Sequence, residues 1–197
     1  MPLPPPPFVH HRAPETKVRG AGACIVGVLN FPSDKFRPME GQPLDIGHVH
    51  LRVSDIHRAL AFYRDILGFE VVMRIGEEAA FLSSGDYHHR IALNTWQSRG
   101  GGPPSPGSTG LHHAAVRFPT RNALAHAVRR CVDQGVTITG AADEGFAEAV
   151  WVSDPDENGI ELCWDRPPRE WPRSQDGRPS LPRPEPMDIE DLLALTR

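Results

Sequence analysis

The order of strands and helices that the sequence predicts occurs twice along the 197 residues of the chain. Residues 44–97 read as a strand, a helix and three further strands, and residues 111–166 read in the same order. The two copies are in register, since His48 in IGHVHL aligns with His113 in LHHAAV, 65 residues later. A repeated unit of this size buries its apolar face only against a neighbour, so we expect the copies to pack together. The repeat therefore predicts an α+β fold, with two tandem βαβββ modules forming a cupped mixed sheet around one cleft.

Proline and glycine mark three segments outside the two modules. Residues 1–43 form a Pro/Gly-rich N-terminal arm, in which Cys24–Leu29 predicts a single strand or an arm that packs on a partner subunit. Residues 98–110 (SRGGGPPSPGSTG) are a linker on composition alone. Residues 167–197 begin rich in proline and end in a predicted short helix, Asp188–Leu195, whose apolar face is expected to dock on the body.

Composition excludes several classes of function. The net charge is −4 and there is no block of Lys or Arg, so we expect no nucleic acid as a partner. No apolar run approaches the roughly 18 residues of a membrane span, and the N-terminus lacks the apolar core of a secretion signal. The three cysteines, Cys24, Cys131 and Cys163, are scattered and odd in number, which favours a reduced, cytoplasmic chain.

The stretch Val152–Asp165 (VSDPDENGIELCWD) predicts a β-hairpin that carries an unusual carboxylate. The sequence Asp154-Pro155-Asp156 suits a tight turn. Glu161 follows between Ile160 and Leu162, and because strand side chains alternate, it points away from both. Facing solvent, Glu161 is an ordinary surface charge. Facing a cavity, it must be paired or bound to a metal ion.

The repeat makes His48, His113 and Glu161 candidate metal ligands. The two histidines are equivalent, so a pseudo-twofold arrangement of the modules brings both to one cleft. Glu161 aligns with Ala92 in the first module, so the second module alone supplies a carboxylate. Two imidazoles and one carboxylate, with open coordination positions, are typical of non-haem Fe(II) oxygenases.

Two other histidines compete for these roles. His50 shares a strand face with His48 and is the rival first ligand, whereas His112 is predicted to face away from His113. The alternative to a metal site is a pair of core histidines with satisfied hydrogen bonds.

Longer motifs around these residues resemble a known superfamily. Residues 46–55 follow the pattern hydrophobic-x-His-Val-x-Leu-x-Val-x-Asp, and residues 61–69 follow Ala-Phe-Tyr-Arg-Asp-x-Leu-Gly-Phe. Together they resemble the vicinal-oxygen-chelate superfamily of glyoxalases, bleomycin-resistance proteins and type I extradiol dioxygenases. YHHRIALNTW at residues 87–96, with DPDENGIEL and WDRPPREWP, is similar to the two-module catechol 2,3-dioxygenase-like branch. The match runs from about Leu44 to the C-terminus.

The resemblance implies a role for each candidate residue. His48, His113 and Glu161 fall on the iron ligands of the family. Ala92 falls where glyoxalases carry a fourth ligand, which favours an open three-ligand site for Fe(II) or Mn(II). His89 falls on the second-sphere histidine that handles protons and oxygen in the extradiol enzymes.

The chain departs from the family pattern at three positions. Asp143-Glu144-Gly145 stands where Asp-His-Gly is frequent, and Trp151 stands where a tyrosine precedes the ligand glutamate by ten residues. Both family residues contact the substrate or the bound intermediate, so Glu144 and Trp151 are the expected substrate-binding residues. Glu157 replaces a usual turn glycine and is expected to affect only the hairpin.

These features predict a metal-dependent extradiol dioxygenase of aromatic compound catabolism, acting as a homo-oligomer, most simply a dimer. A catechol-like diol and O2 would meet at the metal, with His89 as general acid and base. Two alternatives stay open. One is an isomerase or lyase of the same superfamily that works without O2. The other is a non-catalytic aromatic-ligand-binding protein, in which Trp151 is a stacking wall.

Overall fold

Two sheets form the framework of residues 45–197, the residues that this computed structural model describes. Residues 1–44 lie outside that part of the chain, and so does the strand or arm predicted at Cys24–Leu29. Within residues 45–197, no helix is both long enough and apolar enough to cross a membrane.

The first module forms a four-stranded sheet. Its elements are β1 Val49–Arg52, α1 Ile56–Leu60, a π-helical continuation Ala61–Ile66, β2 Glu70–Ile75, β3 Ala79–Ser83 and β4 Ile91–Asn94. The strands stand in the order β1-β4-β3-β2, with β1 parallel to β4 and the other neighbours antiparallel.

The second module repeats this arrangement. Its elements are β5 Ala114–Arg117, α2 Arg121–Asp133, β6 Ile138–Asp143, β7 Ala147–Ser153 and β8 Gly159–Asp165. A short strand from the C-terminal segment, β9 Glu185–Pro186, extends the sheet to the order β5-β8-β7-β6-β9, again with β5 parallel to β8. The predicted α+β fold of two βαβββ modules is therefore confirmed.

Equivalent pairings in the two sheets confirm the register of the repeat. His50 of β1 pairs with Ala92 of β4, and Ala115 of β5 pairs with Glu161 of β8. Ala92 and Glu161 thus occupy the same position in their modules, as the sequence alignment predicts. The side chain of Ala92 is a methyl group, so the first sheet offers no metal donor at that position.

The helix that the sequence predicts in the first module is present, and its second half is a π-helix. Asp55 caps the N-terminus by accepting a hydrogen bond of 2.8 Å from the Arg58 amide. The chain leaves the helix at Gly68, whose φ of 90° is a left-handed conformation that glycine adopts freely. Between these ends, the Leu67 amide donates to the carbonyl of Phe62, five residues back.

The π-helical segment carries two adjacent aromatic side chains that lie in the core. Phe62 is 2% exposed and Tyr63 is fully buried. Both aromatic side chains thus lie in the core within the π-helical segment Ala61–Ile66.

A single hydrophobic core receives side chains from both modules. Alternate residues of the central strands fill it: Leu51, Leu82 and Leu93 from the first sheet, and Val150, Ile160 and Leu162 from the second. Because side chains alternate along a strand, the residues between them lie on the opposite sheet faces.

Each opposite face carries one continuous row of paired residues. In the first sheet the row is His50, Ala92, Phe81 and Met73, and we call this the His50 face. In the second sheet the row is Ala115, Glu161, Trp151 and Gly140, and we call this the Glu161 face. The candidate ligands lie on these two faces, away from the shared core.

The turn between β7 and β8 is fixed by the carboxylate of Asp154, which is 3% exposed. It accepts hydrogen bonds from the Tyr63 hydroxyl (2.8 Å) and from the amides of Asp156 (2.9 Å) and Asn158 (2.8 Å). Burial, and then the charge of Asp154, raise the pKa of Tyr63, so its phenol remains a proton donor. Glu157 adopts a φ of 64° here, and the predicted hairpin forms with this residue in place of glycine.

The C-terminal segment packs on the second module. Its helix, α3 Ile189–Leu193, lies within the predicted range 188–195 and buries Leu192 and Leu193. Arg129 of α2 donates hydrogen bonds to the Leu193 carbonyl (3.4 Å) and to the Thr196 hydroxyl (3.2 Å).

Tyr63→Phe is expected to lower the free energy of unfolding by about 1–3 kcal/mol, because it removes a donor from the buried Asp154 carboxylate. Asp154→Ala is expected to cost more, since it leaves the Tyr63 hydroxyl and two amides without their acceptor. Urea unfolding followed by circular dichroism measures both. Arg64→Ala is the control, because it breaks only the exposed pair of Arg64 with Asp65. An equal effect of Tyr63→Phe and Arg64→Ala would contradict this role of Asp154.

Candidate functional site

Two of the three candidate ligands touch on the Glu161 face. Glu161 lies in the middle of β8 and is 9% exposed. Its Oε2 lies 2.9 Å from Nε2 of His113, the residue before β5. Gly159 permits this approach, because a Cβ there would lie 2.4 Å from the His112 carbonyl oxygen and 3.2 Å from the His113 Cβ. Because Glu161 is buried and paired with His113, it is not an ordinary surface charge.

His112 lies against His113, and the prediction that it faces away was wrong. The Nδ1 atoms of the two rings are 2.9 Å apart, so one ring donates a hydrogen bond and the other accepts it. The pair precedes β5, which begins at Ala114, so the alternation of strand side chains does not apply to it. His112 therefore fixes the ring orientation of His113 and leaves the Nε2 of His113 toward Glu161.

A cavity of about 330 Å³ opens beside this pair. His113, Trp151 and Glu157 are among the residues that line it. Trp151 pairs directly with Glu161 across β7 and β8, so both side chains lie on the same face. The aromatic ring of Trp151 thus forms a wall next to the candidate ligands.

Glu144 follows β6 and lies near the same pair. Burial, and then the charge of Glu161, raise the pKa of the Glu144 carboxyl, while His113 lowers it. Two carboxylates and an imidazole therefore interact on this side of the second sheet.

The third candidate ligand lies on the first sheet, in a cluster of histidines. The ring centroids of His48 and His89 are 4.4 Å apart, and those of His48 and His50 are 6.4 Å apart. Nδ1 of His89 is 2.7 Å from Nδ1 of His88, and the ring of Phe81 lies edge-on to His89 at 5.2 Å. Partial burial, and then the rings of His48 and His88, lower the pKa of His89.

His50, the rival first ligand, has its Nε2 engaged. That atom lies 2.8 Å from the side-chain amide nitrogen of Asn94, on the neighbouring strand β4. Trp96 lies edge-on to the same ring at 5.8 Å. Burial, then His48 and His89, lower the pKa of His50. The Nε2 atom of His50 is therefore already engaged by Asn94.

The structure brings the predicted ligands together only in part. His113 and Glu161 are in contact, whereas His48 lies on the other sheet beside His89. Among residues 45–197, no three His, Cys, Asp or Glu side chains are grouped so that they hold a metal ion. An imidazole nitrogen and a carboxylate oxygen fit a divalent iron or manganese ion in chemical type. One chain therefore provides two suitable donors in contact, and a third is needed.

Three residues that shape these contacts were not among the predicted site residues: Gly159, Asn94 and His112. A signal for Asn94 was present, because strand alternation places it on the same face as Ala92 and hence beside His50. The contact of Gly159 with the backbone of residue 112 joins β8 to the start of β5, and no local pattern marks it.

Comparisons with known proteins agree with this fold. The family model described as Glyoxalase/Bleomycin resistance protein/Dioxygenase superfamily matches residues 45–162. The chain is 34% identical over 149 residues to catechol-2,3-dioxygenase from Bacillus subtilis (strain 168). The aligned region covers 75% of this chain and 50% of that protein. It is 31% identical over 119 residues to biphenyl-2,3-diol 1,2-dioxygenase 3 from Rhodococcus globerulus. That aligned region covers 59% of this chain and 61% of that protein.

These matches span only part of the relatives. The chain covers between 50% and 61% of the length of the two dioxygenases. Among solved structures, a glyoxylase/bleomycin resistance protein/dioxygenase domain from Frankia sp. EAN1pec matches with a TM-score of 0.52 and 21% identity. That match covers 64% of this chain and 100% of the Frankia domain. Because the family model spans more than half of the chain, this protein belongs to the glyoxalase, bleomycin resistance protein and dioxygenase superfamily.

Proposed function

We propose that this chain is a metal-dependent extradiol-type dioxygenase that opens the ring of a catechol-like aromatic diol with O2. The contact of 2.9 Å between His113 Nε2 and Glu161 Oε2 carries the proposal, because it holds the imidazole of the residue before β5 against a carboxylate in the middle of β8. Similarity to a catechol-2,3-dioxygenase and to a biphenyl-2,3-diol 1,2-dioxygenase supports the substrate class.

The residues that would hold the metal ion are His113 and Glu161, with His48 as the third donor. Fe(II), or Mn(II) in its place, supplies a common binding point for a diol and O2 when it is bound. His112 holds the His113 ring in position through the Nδ1 contact of 2.9 Å.

Three other side chains would act on the substrate. Trp151 provides an aromatic wall beside Glu161, against which a planar ring stacks. Glu144 offers a carboxyl group to a polar substituent of that ring. His89 would take the proton of a diol hydroxyl and return it during ring opening, as a general base and then a general acid.

Glu161→Gln and His113→Ala are expected to lose the metal ion, of which the unaltered protein should hold about one per chain. The loss should exceed the roughly 10–100-fold weakening that removal of an outer partner causes. Anaerobic metal analysis after equilibration with Fe(II) or Mn(II) measures it. Glu157→Gln is the matched control, because Glu157 lines the same cavity and is not paired with His113. Full metal content in Glu161→Gln would contradict the assignment.

His112→Ala is expected to weaken metal binding by roughly 10–100-fold without abolishing it, because His112 orients His113 and does not bind the metal itself. Metal titration at several ion concentrations separates this graded effect from the loss in His113→Ala. An affinity equal to that of the unaltered protein would show that the Nδ1 contact does not support the site.

His89→Ala is expected to keep metal and diol binding while slowing ring opening by roughly 10²–10⁴-fold, the usual contribution of one general acid or base. Oxygen uptake at saturating diol measures the rate. His126→Ala, at an exposed position of α2, is the control. Unchanged turnover in His89→Ala would show that His89 is a surface residue that takes no part in the reaction.

The same oxygen-uptake screen separates the proposed function from its rivals. Conversion of an oxygenated substrate by the metal-loaded protein without oxygen uptake would indicate an isomerase or lyase. Binding of aromatic diols with no conversion would indicate a ligand-binding protein, in which Trp151 serves only as a stacking surface.

A further inference from the structure

We propose that Arg166 is a positioning residue of the candidate site: it holds Asp143, and through Asp143 the turn that carries Glu144 beside the Glu161 face. This inference rests on the proposed function, in which Glu144 meets a polar substituent of the diol. It also names the substituent that the site favours, which is a cation or another hydrogen-bond donor.

The first observation is the tight turn that carries Glu144. Asp143 ends β6, Ala147 begins β7, and Glu144 is the first of the three residues between them. The Glu144 amide donates a hydrogen bond of 2.8 Å to the Ala147 carbonyl, and the Gly145 amide donates one of 2.8 Å to Oδ1 of Asp143. Gly145 has a φ of 77°, a left-handed conformation that glycine adopts freely. Hydrogen bonds on both sides of Glu144 therefore hold its backbone in one conformation.

The second observation is that Arg166 binds this turn at three points. Its Nη2 donates hydrogen bonds to Oδ2 of Asp143 (2.6 Å) and to Oε1 of Glu148 (3.2 Å). Its backbone amide donates a hydrogen bond of 2.8 Å to the Phe146 carbonyl. Asp143 and Glu148 are paired across β6 and β7, so Arg166 joins both strands where the turn begins and ends.

The third observation is that Arg166 is itself held in place by a buried network. Nε1 of Trp171 donates a hydrogen bond of 2.7 Å to the Arg166 carbonyl. Arg121 donates one of 2.7 Å to Oε2 of Glu148, which is 6% exposed. The two arginines balance two carboxylates, and neither of them pairs with Glu144. Buried ion pairs often add little net stability compared with apolar side chains of the same size, so the main effect of this network is a fixed geometry.

The C-terminal segment blocks movement of the turn on its outer side. A Cβ at Gly145 would lie 2.8 Å from Cγ of Pro182 and 3.0 Å from Cγ of Pro172. The short strand β9 pairs with the last two residues of β6. The turn is therefore enclosed between Arg166 and the proline-rich chain that follows it.

Glu144 depends on this support because a like charge lies near it. Burial, and then the charge of Glu161, raise the pKa of the Glu144 carboxyl, so the two carboxylates repel each other when both are ionised. On a mobile turn this repulsion would direct Glu144 away from the site. On a fixed turn the Glu144 carboxyl stays beside Glu161 and is available to a ligand. A cationic ring substituent forms the strongest hydrogen bond with such a group.

Two matched diols test this inference, a catechol with an aminoethyl substituent and a catechol with an ethyl substituent. Calorimetry on the metal-loaded protein without oxygen gives both dissociation constants and needs no turnover. Glu144→Ala is expected to shift their ratio against the aminoethyl diol by roughly 10–100-fold, the contribution of one hydrogen bond to a charged group. Arg166→Met is expected to shift the ratio in the same direction while the metal content stays full.

The double variant shows whether Arg166 acts through Glu144. Arg166→Met combined with Glu144→Ala should shift the ratio no further than Glu144→Ala alone, whereas independent effects would add. Arg117→Met is the matched control and should leave the ratio unchanged. It removes an arginine from an exposed pair with Asp165 (3.0 Å) and leaves the turn intact.

Two further variants keep the shape or the charge of the network. Asp143→Asn retains an acceptor for the Gly145 amide and removes the charge that Arg166 binds, so it should shift the ratio as Arg166→Met does. Arg166→Lys keeps a cation and should cause a smaller shift. An unchanged ratio in both Arg166→Met and Asp143→Asn would overturn the positioning role, and so would additive effects in the double variant.

The outcomes distinguish this inference from the proposed function. If oxygen uptake persists and Arg166→Met leaves the ratio unchanged, the positioning role is wrong and the dioxygenase function stands. If the ratio shifts as expected and no diol consumes O2, Arg166 positions Glu144 in a ligand-binding protein and the dioxygenase function is wrong. Absence of binding of either diol to the unaltered protein would contradict both.

Discussion

The arrangement of the two modules depends on the hydrogen bonds that the buried carboxylate of Asp154 accepts. This carboxylate closes the turn before β8 through two backbone amides and at the same time accepts the hydroxyl hydrogen bond of Tyr63 from the first module. Asp156, in the same turn, accepts a hydrogen bond of 3.1 Å from the Ser54 amide and pairs with Arg58. A charge buried to this degree is stable only with such a set of donors, so turn and helix hold each other in place.

This arrangement explains why the candidate ligands lie where they do. Because the turn fixes the start of β8, it also fixes the position of Glu161 further along the strand, and Gly159 lets the chain before β5 approach closely enough for His113 to reach it. The same packing commits one face of each sheet to the shared core. On one of the remaining faces His113 and Glu161 are in contact, and among residues 45–197 no third His, Cys, Asp or Glu side chain joins them in a group that could hold a metal ion.

Much of the fold could be predicted from the sequence because its signals are local or repeated. The cap at Asp55, the helix end at Gly68 and the alignment of Ala92 with Glu161 follow from residue preferences and from the spacing of the repeat. The hydrogen bond from the Tyr63 hydroxyl to Asp154 was not predictable, because the two residues are 91 positions apart in the sequence. The repeat predicts that His48 and His113 occupy equivalent positions in their modules. It does not predict how the two modules pack, so it does not show which sheet faces meet.

The most direct measurement is the fate of labelled dioxygen during conversion of a catechol by the Fe(II)-loaded protein. An extradiol reaction inserts both oxygen atoms of O2, so the mass spectrum of the ring-opened product should show both labelled atoms, with equal consumption of diol and O2. A product that carries no label, or conversion without oxygen consumption, would contradict the assignment of this chain as a dioxygenase.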